Sequence, residues 1–141
     1  MEGLLKRGKI REYAFMFLYQ LEIQNLNTTF QMQNFLKDYP IPDKQIDFFN
    51  TRVEGVTREK TSLDRTLEPF LVKWTLDRLP KIDLTLLRLA VFEMEFLEEI
   101  PNNVAISEAV RLAKIYSTED SFSYINAILG NIDRKTFKDN R

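Results

Sequence analysis

The chain has 141 residues, 44% of them hydrophobic and 29% charged, with a net charge of −1, values that suit one globular domain with a real core and argue against global disorder. It contains neither histidine nor cysteine. Disulfides, zinc sites and Cys–His or Ser–His–Asp catalysis are thereby excluded, and only carboxylates, lysine, tyrosine and hydroxyls remain for acid–base work.

Binding is therefore favoured over catalysis, with no enzyme activity, cofactor or metal expected. No apolar stretch of 18 residues lacks charges and the N-terminus has no signal-like pattern. No membrane partner is expected, and a cytoplasmic location fits a cysteine-free chain. Four glycines and five prolines are too few for the many turns of a sheet protein, so the expected class is all-α. The charge is uneven: residues 1–11 carry +3, residues 133–141 carry +2, and the body between them −6. Basic ends on an acidic body fit a localised anionic partner such as a nucleic acid, and equally two solvated termini.

In chain order, Ile10, Tyr13, Ala14, Phe17, Leu18 and Leu21 recur at three- and four-residue steps and predict a first helix. Phe15, Met16 and Tyr19 lie off that stripe, so this helix is apolar over more than half its circumference. Cations before and within its first turn oppose the helix dipole, a cost that a bound phosphate would reverse. A second helix is predicted over 29–38, with Phe30, Phe35 and Leu36 inward and Pro40 and Pro42 ending it. Asp43 reads as the cap of a third, with Ile46, Phe49, Val53, Val56, Leu63 and Leu67 as its stripe and a break somewhere in 57–62. Pro69 suits the first turn of a short fourth, and Trp74 reads as core.

The fifth helix, predicted over 80–97, is apolar nearly all round, as the buried axis of a bundle would be. Pro101 separates it from a sixth, with Ile106, Ala109, Val110 and Ala113 as its stripe. Ser117 and Asp120 then form a capping-box pattern for a seventh, with Phe122, Ile125, Ile128, Leu129 and Ile132 inward. Arg88, Glu93, Glu108 and Asn126 interrupt these apolar faces. Glu93 and Glu108 are either an acid–base pair or members of a satisfied polar network. Asn126 reads as a core residue bonded to backbone.

Three segments resemble the NusB family of bacterial transcription antitermination factors: IREYAFMFLYQ, IDLTLLRLAVFEM and PNNVAISEAVRLAKIYSTEDSFSYINAIL. Their order and spacing agree with the family from Arg11 to Leu129. The resemblance implies a single NusB-like RNA-binding domain over 1–141, with about seven helices in two small packed bundles. It implies a non-enzymatic factor that binds boxA-type RNA together with NusE, a small-subunit ribosomal protein, and acts indirectly on the RNA polymerase elongation complex. By the same resemblance RNA contacts fall on Lys6, Arg7, Lys9, Arg11, Tyr19, Asp83, Asp120 and Tyr124. Cations would meet phosphates, tyrosines would stack on unpaired bases, and carboxylates would accept from base amino groups. Each tyrosine reads equally well as a half-buried ring at a helix interface.

Gly8 and Ile10 interrupt the basic segment where relatives are denser in arginine, which implies weak RNA affinity without the protein partner. Ser107 stands where the family has Asn, and Ala127 where it has Gly. The same fold also opens some ribosomal RNA methyltransferases, but no glycine-rich cofactor loop follows here. A helical interaction module without RNA binding, using the acidic EMEFLEE segment, is the alternative, and a homodimer is compatible with either.

Overall fold

The computed structural model describes residues 3–24 and 28–137. Among them are seven α-helices: α1 (Arg7–Ile23), α2 (Thr28–Asp38), α3 (Ile46–Arg58), α4 (Lys60–Leu67), α5 (Lys81–Phe96), α6 (Asn102–Tyr116) and α7 (Glu119–Ile132). The all-α expectation holds, with no strand among the described residues. No described helix is long and apolar enough to cross a membrane.

Helix α5 is the axis. Every residue from Asp83 to Met94 is buried, because this helix packs against α1 and α3 on one side, α6 and α7 on the other, and α4 as well. An all-round apolar surface is what a helix enclosed by neighbours requires. The α1–α3 and α6–α7 pairs thus form two small bundles that share α5. Helices α3 and α5 pack closely at Gly55, where an added Cβ would sit 2.1 Å from Phe92 Cζ. Only a residue without a side chain lets the two helices meet there.

Several local readings are corrected. The break in the third stripe falls at Glu59, between α3 and α4. Asp43 does not cap α3: it opens a 3-10 turn (Asp43–Gln45) that leads into the helix, and Gln45 occupies the N-cap. Pro69 does start a short turn, but a 3-10 one, Glu68–Phe70. Phe30 and Trp74 lie 62% and 44% exposed, and Gln31 takes the buried place on α2. Phe30 lies in the first turn of α2, at the edge of the bundle, and Trp74 in the connection before α5, where few neighbours can cover a ring. On α6 the buried positions are Ala105, Ala109, Leu112 and Ala113, while Ile106 and Val110 lie at their margin.

The cap of α7 is displaced by one residue. Thr118 occupies the N-cap and its hydroxyl accepts from the Ser121 amide at 3.1 Å. Ser117 donates instead to Asp83 at 2.7 Å, so its hydroxyl is already committed to α5.

Candidate nucleic-acid interface

Arg11, Arg52, Glu93 and Glu108 form one network that ties α1, α3, α5 and α6 together. Glu93, 1% exposed, accepts from Arg11 Nε at 2.9 Å and Nη2 at 2.9 Å, and from Arg52 Nε at 2.9 Å and Nη2 at 2.7 Å. Arg11 Nη1 reaches on to Glu108 at 2.9 Å, and Arg111 Nε holds the other oxygen of Glu108 at 2.8 Å. Burial alone would raise the Glu108 carboxyl, but the bonds and charges of Arg111 and Arg11 outweigh it and hold the group below its ordinary value. Burial also works against the Arg52 charge, and Glu93 opposes that loss. Both glutamates are therefore ion-paired carboxylates. The network reading stands, and neither is a free acid–base group.

A second cluster ties α1 to α4 and α5. Arg88 makes a fork onto Asp64 at 2.8 and 2.9 Å and reaches Glu22 at 2.7 Å, where Lys60 also arrives at 2.7 Å. Burial opposes ionisation of Glu22, yet its bonds to Lys60 and Arg88 win and its carboxyl lies below the ordinary range.

Against this frame the eight expected RNA-contacting residues separate. Lys6, Arg7 and Lys9 are exposed at the N-terminus of α1, and Lys6 and Lys9 line an open groove of about 580 Å³ together with Gly8, Glu12, Glu108 and Arg111. Lys9 pairs with Glu12 at 3.3 Å and lies over the Tyr13 ring. The two residues that interrupt the basic run have structural reasons. Ile10 is 1% exposed core, and Gly8 lets α1 approach α6, its carbonyl accepting from Arg111 Nη2 at 3.0 Å. An added Cβ at Gly8 would sit 3.0 Å from Glu108 Oε1.

Arg11 and Asp83 are corrections. Arg11 is 4% exposed, its guanidinium spent on Glu93 and Glu108, so it organises the core and presents no cation outward. Asp83 is 2% exposed and accepts from the Ser117 and Ser121 hydroxyls at 2.7 Å each, which pins the α6–α7 junction onto α5. The family resemblance put both residues among the RNA contacts but could not show that their polar atoms turn inward.

Tyr19 is half-buried and stacks on Phe15, with ring centroids 6.3 Å apart; Phe15 in turn meets Tyr116 at 5.1 Å. Tyr116 donates a short hydrogen bond to Glu12. Burial first, then that bond and the carboxylate charge, push the Tyr116 phenol up. Asp120 is exposed in the first turn of α7. Tyr124 is half-buried, and its hydroxyl is buried without a hydrogen-bond partner.

Asn126 is exposed, not core: with Asn103, Ser107 and Ala127 it lines an open groove of about 420 Å³ between α6 and α7. The Ser107 and Ala127 departures therefore lie on the surface and not at a helix-packing contact. At the other end of the chain Arg134 and Lys135 are exposed, and Lys138 and Arg141 lie outside the described residues. Arg111 was missed from sequence. Its only signal is the three-residue step from Glu108, which is common on helices.

Fold and site together define a small all-helical protein with a charged groove along one edge, lined by Lys6, Lys9 and Arg111 and by Glu12 and Glu108, on a bundle tied together by buried ion pairs. The NusB family model matches residues 8–134. The transcription antitermination protein NusB of Listeria monocytogenes (serotype 4a, strain HCC23) is 40% identical over 128 residues, which cover 91% of this chain and 96% of the relative. That of Acetivibrio thermocellus is 43% identical over 126 residues, covering 89% and 87%. The chain belongs to the NusB family. Among solved structures, NusB of T. maritima superposes with a TM-score of 0.85 at 30% identity, covering 94% of each chain. A NusB solved with NusE and double-stranded RNA superposes at 0.81 with 24% identity, covering 89% of this chain and 94% of that one, a likeness of fold.

Proposed function

We propose that this chain is a transcription antitermination factor that binds a boxA-type RNA segment together with a NusE partner and acts through them on elongating RNA polymerase. One observation carries the RNA part: the exposed cations Lys6 and Lys9 line one open groove with Arg111, and Arg7 is exposed at the same helix end, which has no acidic residue in its first turn. Phosphates there meet side-chain charge and unpaired helix amides together. Tyr19, Asp120 and Tyr124 are the remaining contact residues, with stacking worth roughly 1–3 kcal/mol per base. Arg11 and Asp83 act by holding α1, α6 and α7 in register. The role is binding and not catalysis: Glu93 and Glu108, the pair that an acid–base site would need, are both held by arginine. The cytoplasm is where such a factor meets nascent RNA.

Fluorescence anisotropy with a boxA-type oligonucleotide, with and without NusE, tests this reading. Binding that strengthens with NusE is expected. Replacing Lys6, Arg7 and Lys9 together with alanine should weaken binding and flatten its salt dependence by about three units of slope at most. An unchanged slope would remove the RNA from this edge. Binding of NusE without RNA would favour the interaction-module reading.

A further inference from the structure

The short arm that ends at Lys6, the N-cap of α1, and leads into Arg7, the first residue of that helix, is fastened by a residue the functional reading does not use. Gln45 stands at the N-cap of α3, yet its side chain makes no cap. It reaches instead to the main chain of Leu5. The Leu5 amide donates to Gln45 Oε1 at 2.8 Å, and Gln45 Nε2 donates to the Leu5 carbonyl at 2.7 Å. Only one orientation of the carboxamide satisfies both bonds, which imitate the pairing of two strands across 40 residues of sequence.

A second hold lies three residues further along the same edge. The Arg7 guanidinium sits 5.7 Å from the centroid of the Phe48 ring, and Arg52 lies over the same ring at 3.4 Å. Phe48 is half-buried, so it offers Arg7 a fixed surface without withdrawing its charge from water. Leu4, the residue before Leu5, is 69% exposed. A short arm left loose would lose conformational freedom on meeting its ligand, and that loss would come out of the affinity.

We infer that Gln45 is a positioning residue for RNA: its clamp on Leu5 holds Lys6 beside the α1–α6 groove, while Phe48 of α3 lies beneath Arg7, so that both cations stay open to phosphate at one helix end. This rests on the RNA-binding reading above. The residue type matters in two ways. Asparagine is one methylene shorter and would not span both main-chain atoms, whereas alanine removes donor and acceptor together.

Gln45→Ala and Gln45→Asn are compared with the parent by three measurements: thermal midpoint, trypsin cleavage at the Lys6–Arg7 bond, and anisotropy with a boxA-type RNA oligonucleotide. Both variants should keep the parent's midpoint within a few degrees, lose the arm faster to trypsin, and bind RNA about five- to tenfold more weakly. Lys6→Ala should cost less in the Gln45→Ala background than in the parent, because an unaimed lysine has less to lose. Unchanged RNA affinity in a variant whose arm is cleaved faster would overturn the proposal. So would unchanged cleavage, or strictly additive effects of the two substitutions. A parent that fails to bind the oligonucleotide at all refutes the RNA reading itself, and with it the role given to Gln45.

Discussion

Glu93→Gln tests the physics of the core most directly. The carboxylate is 1% exposed and is the shared partner of two arginines that are themselves 4% and 3% exposed. Substitution keeps the shape but removes the charge and turns an amide donor towards guanidinium donors. The one remaining amide oxygen cannot serve both arginines fully: at the Oε2 position it loses the Arg11 Nε bond at 2.9 Å, and at the Oε1 position it loses both Arg52 bonds, while two buried guanidinium charges share no anion at that point. Breaking a buried pair costs about 3–5 kcal/mol, against 0–1 kcal/mol for an exposed one. Since single domains hold about 5–15 kcal/mol in total, the variant should lose a large share of its stability. Urea denaturation followed by circular dichroism at 222 nm reads the loss as a lower midpoint with unchanged slope. Arg58→Ala is the contrast: its bridge to Glu59 is 3.3 Å long with the arginine side chain 64% exposed, so a change within about 0.5 kcal/mol is expected. A loss below about 1 kcal/mol for Glu93→Gln would mean that water reaches the two arginines and that the network is not what joins the bundles.

Gly55→Ala should destabilise by about 1–3 kcal/mol or more, because its Cβ would stand 2.1 Å from Phe92 Cζ, an overpacking that α3 can relieve only by moving off α5; the thermal midpoint reads it, and a parent-like midpoint would refute the close approach. Acid should weaken the fold through Glu22, whose folded carboxyl lies below its ordinary 4.5. That contribution is complete above the unfolded value and fades as the pH falls through the folded one, so Glu22→Gln should be less stable than the parent at pH 7 and show a shallower loss between pH 4.5 and lower values. Tyr124→Phe removes a buried hydroxyl that has no partner, so stability should hold or rise slightly and RNA binding should persist; Tyr124→Asp should stay helical yet lose most specific RNA binding, and normal binding by that folded variant would take Tyr124 out of the interface.

The chain by itself determined the all-α class, the order and approximate position of α1, α2, α5, α6 and α7, the all-round burial of α5, and the family. Apolar residues at helical spacing and prolines at the joints act through local geometry, and local geometry is legible in one dimension. It also marked Arg88 and Glu93 as polar groups inside an apolar helix, which the fold pairs with Asp64, Glu22, Arg11 and Arg52. What only the tertiary structure decided was the direction in which polar atoms point. Arg11 belongs to the same basic run as Lys6, Arg7 and Lys9, yet it turns inward because two carboxylates from α5 and α6 wait there. Asp83 is spent on hydroxyls from the α6–α7 junction, Asn126 faces solvent, and Gln45 holds a main chain 40 residues away. Partners that far apart in sequence leave no periodic trace, since a long-range hydrogen bond depends on where helices cross and not on the spacing within either one.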